Sequence, residues 1–513
     1  MAAMAEREYP NWLMRLPLSL LIWGGMALCM WGPAIHASVR HQDAIARAFF
    51  YSGLLGLVGV VLIGISISGR ELRYGALGQL LALLTSFTVL PVFLALPVYE
   101  GIQTTSFLNA YFDMVSAFTT TGADLFDDPD RLDASLHLWR ALVGWMGGLL
   151  MWIAASAVLA PLSLGGFEVT ARGEPGRAVA VPMKVEAASP RIRLLRITRV
   201  LAPVYAGLTG AVCVLLLIGG EAGLTAVIHA MSVMATSGIS PVGGVPQGLA
   251  GRAGEVVLFM FMFFALSRLT FSSDTMTSGR GRLDRDPEFR IGLLLIFGLP
   301  LLLFVRHWLA ALELNEAWNL TYALQALWGA MFTVMSFLTT TGFESADWDE
   351  ARNWSGLGTP GLILMGLAVI GGGVATTAGG VKLLRVYALY LNGLHEMQKL
   401  IHPSSVSGEG VRNRRIQKDG AFIAWIFFMM FAMSIAVIST ILGALGSDFE
   451  EALVLTIAGL STTGPLIEIA SETPIRLVEL NATAKLVLCA TMVLGRLETL
   501  AIIALITPDL WRR

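Results

Sequence analysis

Apolar runs long enough to cross about 30 Å of hydrocarbon recur along the whole chain. They lie at 16–34, 47–67, 76–98, 137–163, 198–219, 254–272, 291–310, 358–390, 420–443 and 482–506. Shorter apolar stretches ending in Thr, Ser and Gly sit between some of these runs. They are too short to span, and non-helical backbone at membrane depth is tolerated only inside protein or against a cavity. The pattern therefore predicts re-entrant helices between spanning ones, in an all-α polytopic membrane protein. No clear small-residue cleavage site follows the first run, so 16–31 is read as part of a retained span rather than a signal peptide.

Composition agrees with this. Of the 513 residues 55% are hydrophobic and 14% charged, against about 25% charged in soluble chains. The net charge of -2 suggests no nucleic-acid partner. Cys29, Cys213 and Cys489 lie in apolar stretches and offer no metal spacing or disulfide framework. Charge orients the spans. Arg172, Arg177, Lys184, Arg191, Arg193, Arg196 and Arg199 crowd one connection. Arg280, Arg282, Arg285 and Arg290 crowd another, and Lys399, Arg412, Arg414, Arg415 and Lys418 a third. The positive-inside rule makes these cytoplasmic, and an even number of spans puts both termini there, with Arg512 and Arg513 at the end. The opposite side carries Asp124, Asp127, Asp128, Asp130 and Asp133, then Glu344, Asp347, Asp349 and Glu350, then Glu468 and Glu472.

A repeat carries the chemistry. Four segments share one plan: Tyr111 to Ala123, Ile228 to Ile239, Phe332 to Phe343 and Val454 to Pro465. Each ends in a hydroxyl-rich tripeptide: Thr120-Thr121-Gly122, Thr236-Ser237-Gly238, Thr340-Thr341-Gly342 and Thr462-Thr463-Gly464. Each also lies between two apolar runs on the same side. A cation entering a pore must exchange its water shell for fixed oxygens, which backbone carbonyls supply. Glycine permits the backbone angles that aim carbonyls inward, and small Thr and Ser side chains leave the lumen open. Four such loops in register point to an ion-selectivity filter.

These residues resemble the TrkH/KtrB/HKT superfamily of potassium transporters, specifically its bacterial TrkH branch. Trp145-Met-Gly-Gly-Leu, Gly371-Gly-Gly-Val-Ala-Thr-Thr-Ala-Gly-Gly380 and Leu494-Gly-Arg-Leu-Glu498 carry further resemblance. The resemblance implies two N-terminal spans plus four span–pore helix–span repeats around one pore. The corresponding segments are 1–72, 73–165, 166–285, 286–400 and 401–513. It also implies potassium as transported substrate with no cofactor in this chain, and the bacterial cytoplasmic membrane as location. Partners implied are a second copy and a TrkA-type cytosolic nucleotide-binding subunit, for which the basic connections, especially 399–418, are docking candidates. The alternative is a secondary symporter coupling potassium to sodium or protons. Those use inverted repeats, whereas these four run in parallel. No cluster of His, Cys, Asp or Glu looks catalytic, so an enzyme is not expected.

Glycines break the run 358–390, since each interior Gly costs up to ~1 kcal/mol relative to Ala. The reading is a flexible loop at membrane depth. In the family this loop lies beneath the filter and obstructs the ion path, which makes Gly371, Gly372, Gly373, Thr376, Thr377, Gly379 and Gly380 gate candidates. Where the family has a further glycine this chain has Ala378. Gly380-Val381-Lys382 lacks the Ser or Thr of a nucleotide phosphate loop. Arg496 sits in an apolar segment, where an arginine normally faces a cavity or a partner; the family places it in the pore beside the loop. Asp113 is a candidate either for cation attraction or for holding the first filter loop, and His229 reads as structural.

Overall fold

The structure, a computed structural model, describes residues 17–67, 76–126, 128–160, 190–267, 286–314, 320–355, 360–401, 411–471 and 475–498. The boundaries expected near 72, 165 and 285 lie outside these residues. So do Arg172, Arg177, Lys184, Arg280, Arg282, Arg285, Asp127, Glu472, Arg512 and Arg513. Among the described residues the regular elements are all helical.

The first spanning element is broken at Met30 into α1 (Leu18–Cys29) and α2 (Trp31–Val39), and α3 (Asp43–Ile67) returns beside it. This pair is anchored to the rest by apolar contact, with Phe49 against Trp139 at 5.6 Å between ring centroids. Unit 1 begins with α4 (Ala76–Thr88), α5 (Leu90–Leu94) and α6 (Leu96–Ile102). Prolines at the starts of α5 and α6 interrupt this span, because each removes the N–H that a continuous helix would bond four residues back. The re-entrant α7 (Phe107–Phe118) follows, and α8 (Ala134–Ala154) returns, with a π turn at Ala155–Leu159.

Units 2 to 4 repeat the plan. Unit 2 has α9 (Pro190–Ile218), re-entrant α10 (Gly223–Ala235) and α11 (Gly251–Met262). Unit 3 has α12 (Pro287–Leu314), re-entrant α13 (Leu320–Leu338), the short α14 (Trp348–Ser355), then α15 (Pro360–Ile370) and α16 (Leu383–Ile401). Unit 4 has α17 (Val411–Ala444), re-entrant α18 (Phe449–Ser461), the short α19 (Leu466–Ile469) and α20 (Ala482–Leu497).

Packing closes these units into a ring. The returning helix of each unit lies against the re-entrant helix of the next: α8 on α10, α11 on α13, α15 on α18, and α20 on α7 of unit 1. That cyclic order explains why the C-terminal halves of the re-entrant helices bury almost every side chain, including Phe112, Phe118, Phe332 and Phe337. The lipid-facing helices behave oppositely. On α17, Phe422, Trp425, Met433 and Val437 are exposed, which is stable only against hydrocarbon.

The break expected from the glycines within 358–390 is present. The run 358–390 is not one span: α15 ends at Ile370 and α16 begins at Leu383, with Gly371 to Lys382 non-helical between them. The third re-entrant helix, α13, is apolar over a full spanning length, Thr321–Leu338, and, as expected from its Thr-Thr-Gly ending, leads directly into a buried loop at its C-terminus.

Candidate functional site

The four re-entrant helices end in one and the same motif. One or two residues past each helix, Thr120, Thr236, Thr340 or Thr462 has φ of 57°, 52°, 57° and 53° respectively. Its N–H bonds the carbonyl three residues back, on Ala117, Val233, Phe337 and Gly459. The next N–H, of Thr121, Ser237, Thr341 or Thr463, reaches five residues back, to Ser116, Ser232, Ser336 and Ala458 at 2.8–3.0 Å. This is the Schellman cap, whose left-handed position normally takes glycine. Threonine there is a conformational outlier, because a β-branched side chain crowds the backbone.

Hydroxyls brace three of the turns. Thr119 Oγ1 lies 2.8 Å from Thr121 Oγ1, Thr339 Oγ1 3.0 Å from Thr341 Oγ1, and Ser461 Oγ 3.2 Å from Thr463 Oγ1. In unit 2 the bracing position is Ala235, and Ser237 Oγ instead lies 3.2 Å from Ser232 Oγ. Of the left-handed threonines, Thr340 Oγ1 accepts from Gly379 N–H at 2.7 Å and Thr236 Oγ1 donates to Ala235 O. Thr120 Oγ1 and Thr462 Oγ1 are buried without a protein partner.

The glycines sit where the four loops meet. A methyl group added to Gly122 would run into Ser237 O, one on Gly238 into Thr341 O, and one on Gly342 into the Pro465 ring. One on Gly464 would strike the backbone of Gly122 and Ala123. Each loop therefore abuts the next, in the order of the chain, and the fourth abuts the first. Gly122, Gly238 and Gly342 also have positive φ, at 68°, 66° and 86°. Gly464 is absent from the positive-φ residues, which corrects the expectation that all four serve by unusual angles. The following Pro465 steers it toward extended backbone. Close approach is its reason to be glycine: its N–H donates to Thr121 O at 2.6 Å.

Beneath this ring lies the broken segment of unit 3, fully buried. Gly371 and Gly380, with φ of 73° and 76°, close against each other. Gly372 O accepts from Leu383 N–H at 3.0 Å, and Gly373 N–H donates to Ala265 O at 2.9 Å. Thr376 Oγ1 bonds Gly373 O at 2.7 Å, and Thr377 Oγ1 bonds Met234 O at 3.2 Å. Gly379 packs on Ser461 O and Thr462 Oγ1. The loop thus touches the filter-like turns of units 2, 3 and 4.

Arg496 comes to the same place from α20. Its Nη1 donates to Thr377 O at 2.7 Å, while Nε and Nη2 are buried without a partner. Arg496, Thr376, Gly379 and Gly380 line one cavity with Met151, Ala155 and Leu159 of the π turn region. π turns inside α-helices recur at functional sites. The neighbouring Glu498 pairs instead with Arg385 Nη2 at 2.7 Å, whose guanidinium lies 3.8 Å from the Phe427 ring centre.

Asp113 belongs to the framework behind the first loop. Arg140 Nε lies 2.9 Å from Asp113 and Arg140 Nη2 2.7 Å from Asp124. His229 lies 2.9 Å from Ser240 Oγ, packed on Phe343.

Sequence reading missed Arg140, Glu255, Glu288, Lys382 and Arg385. Glu255 accepts from Trp328, Ser345 and Ala346 N–H at 2.6–2.8 Å, and Lys382 Nζ donates to Ala378 O. The signal was available for Arg140, Glu255, Lys382 and Arg385, each a lone charge inside an apolar run and so due a partner.

Comparison with known proteins agrees with this geometry. The family model described as TrkH, cation transport protein, matches residues 258–511. The Trk system potassium uptake protein TrkH of Salmonella typhimurium is 30% identical over 431 residues, covering 83% of this chain and 84% of that protein. Trk system potassium uptake protein TrkH of Halomonas elongata is 29% identical over 488 residues, covering 94% and 95%. The crystal structure of the potassium transporter TrkH from Vibrio parahaemolyticus superposes with a TM-score of 0.77 at 25% identity, covering 96% of this chain and 98% of that one. With four re-entrant units closed into a ring and this likeness along nearly its whole length, the chain belongs to the TrkH family of cation transport proteins.

Proposed function

We propose that the protein takes up potassium through a channel-like pore whose filter is Thr120–Gly122, Thr236–Gly238, Thr340–Gly342 and Thr462–Gly464. The observation that carries this is the cyclic contact of four identical turns, each with a left-handed threonine and a glycine against the next loop. Carbonyls and hydroxyls gathered this way offer oxygens at several levels to a cation shedding water. The potassium uptake named for the Salmonella and Halomonas relatives supports the choice of ion. Residues 371–380 and Arg496 act as the gate: the loop obstructs the path by volume and the guanidinium repels the cation. The basic connections face the cytoplasm, so an inside-negative potential drives entry at about 2.3 kcal/mol per charge per 100 mV. A homodimer in the bacterial cytoplasmic membrane, regulated by a TrkA-type nucleotide-binding subunit, completes the reading.

Purified protein in liposomes, with potassium, rubidium and sodium gradients imposed one at a time, tests it. The expected result is potassium and rubidium flux moderately faster than sodium. Faster sodium flux would count against the filter assignment. Potassium movement that needs a sodium or proton gradient would establish a symporter instead.

A further inference from the structure

The loop beneath the filter is held from two sides. Its C-terminal half is tied to the turns above it and to Arg496, as described. Its N-terminal half is anchored to the junction between units 2 and 3. Gly373 N–H donates to Ala265 O at 2.9 Å, and Gly373 packs on the backbone of Leu266. One residue on, Val374 N–H donates to Glu288 Oε1 at 2.8 Å. Glu288 stands in the first turn of α12 and is 2% exposed. Its own N–H donates to Asp286 Oδ1 at 3.2 Å, and Asp286 also accepts the hydroxyl of Ser267. One carboxylate therefore joins the loop to the junction where the end of unit 2 meets the start of unit 3.

A buried carboxylate is costly unless hydrogen-bonded, and Val374 N–H, at 0% exposure, needs an acceptor. The bond is charge-assisted, about twice as strong as a neutral one. It leaves the loop no freedom on this side while α12 stays where it is.

We propose that Glu288 is the positioning residue that latches the N-terminal half of the loop in its obstructing place, so that a shift of the first turn of α12 releases it. This rests on reading residues 371–380 as the gate. A coupling of this kind needs a discrete contact that one element can make or break, and the Glu288–Val374 bond is such a contact.

The test measures potassium flux per folded protein in liposomes holding the full chain alone. Four variants are compared: Glu288→Ala, Glu288→Gln, Val374→Pro and Arg496→Ala. Val374→Pro removes the same bond from the donor side and carries the test if Glu288→Ala does not fold. Glu288→Ala and Val374→Pro should each raise maximal flux by roughly tenfold, the shift expected from losing one charge-assisted hydrogen bond. Half-saturation for potassium and preference over sodium should stay as in the parent, because the filter is untouched. Glu288→Gln keeps an acceptor oxygen and should return flux toward the parent level, and the Ala and Pro changes combined should be less than additive. If Arg496→Ala raises flux while Glu288→Ala and Val374→Pro leave it unchanged or lower it, the latch is wrong and the gate reading stands. If none of the variants raises flux, the gate reading fails and takes the latch with it.

Discussion

Replacing Arg496 by alanine separates two views of a buried arginine. Its guanidinium has one bond, to Thr377 O at 2.7 Å, and two nitrogens without partners. A charge held that way costs folding energy, since desolvating an ion takes several kcal/mol that a single carbonyl does not return. If Arg496 served packing, it would be a poor choice. As a barrier its effect is large: a cation passing at ~4 Å meets a repulsion of about 4 kcal/mol at an effective dielectric near 20. That corresponds to about three decades in flux as an upper bound, since each 1.4 kcal/mol is tenfold. Against this, Thr377 O loses its donor, at a cost of about 1–3 kcal/mol if no water replaces it. Arg496→Ala should therefore raise potassium flux at least tenfold, with thermal stability little changed. Flux in proteoliposomes, normalised to monodisperse protein, reads the first and a melting curve in detergent the second. Normal folding with unchanged or reduced flux would remove Arg496 from the gate.

Other expectations follow from neighbouring groups. Half-buried Glu344, two residues beyond Gly342 of the third loop, has its carboxyl pushed up to about 7 by burial first and by Asp349 second, with Arg352 opposing. Its negative charge at the mouth of the proposed filter should appear as pH rises through about 7, so cation entry should increase there, and Glu344→Gln should flatten the pH profile of initial flux. The stability sign is the reverse: the raised value favours the neutral carboxyl, so its contribution is complete below the ordinary carboxylate range and is lost as pH rises through about 7. Gly238→Ala should abolish potassium selectivity or flux, because a Cβ there has positive φ and collides with Thr341 O; a variant with the parent's potassium-to-sodium flux ratio would contradict the ring. Arg140→Ala leaves Asp113 and Asp124 without their buried partner, so the melting temperature should drop by the equivalent of about 3–5 kcal/mol, and Asp113→Asn by less.

Much of this architecture was legible in the sequence for definite reasons. Spans follow from the thickness of hydrocarbon, and the four-unit plan follows from Thr-Thr-Gly or Thr-Ser-Gly recurring at equivalent places. The break within 358–390 was visible in its glycines, though its edges at Ile370 and Leu383 depend on long-range bonds such as Val381 N–H to Val369 O at 2.8 Å. Hydropathy alone would have made α13 a span, since it is apolar over a full spanning length, but the Thr340-Thr341-Gly342 that follows it marked it as re-entrant. What no local pattern records is which residues its C-terminus meets on the other three loops. Glu288 escaped notice for a similar reason. A glutamate in the first turn of a helix is ordinary, and only the approach of Val374 from 86 positions away makes it part of the site.

The four left-handed threonines sharpen the argument for function over packing. A non-glycine residue held in that region costs about 1–3 kcal/mol, and the cap at each of these helix ends would form more easily with glycine. Glycine would, however, remove the hydroxyl and free the backbone just where the four loops crowd one axis. Keeping Thr120, Thr236, Thr340 and Thr462 stiffens the turn and leaves an oxygen on it. Two of these oxygens, on Thr120 and Thr462, are buried without a protein partner, which is unfavourable unless something else uses them. On the proposed filter, a dehydrated cation would be such a partner. Thr462→Gly should then stabilise the folded protein while lowering the preference for potassium over sodium, and Thr462→Ser, keeping the hydroxyl, should retain more of that preference. Melting curves and paired flux measurements read the two quantities separately. A Thr462→Gly protein that is more stable and equally selective would show that the strained threonine contributes nothing to the choice of ion.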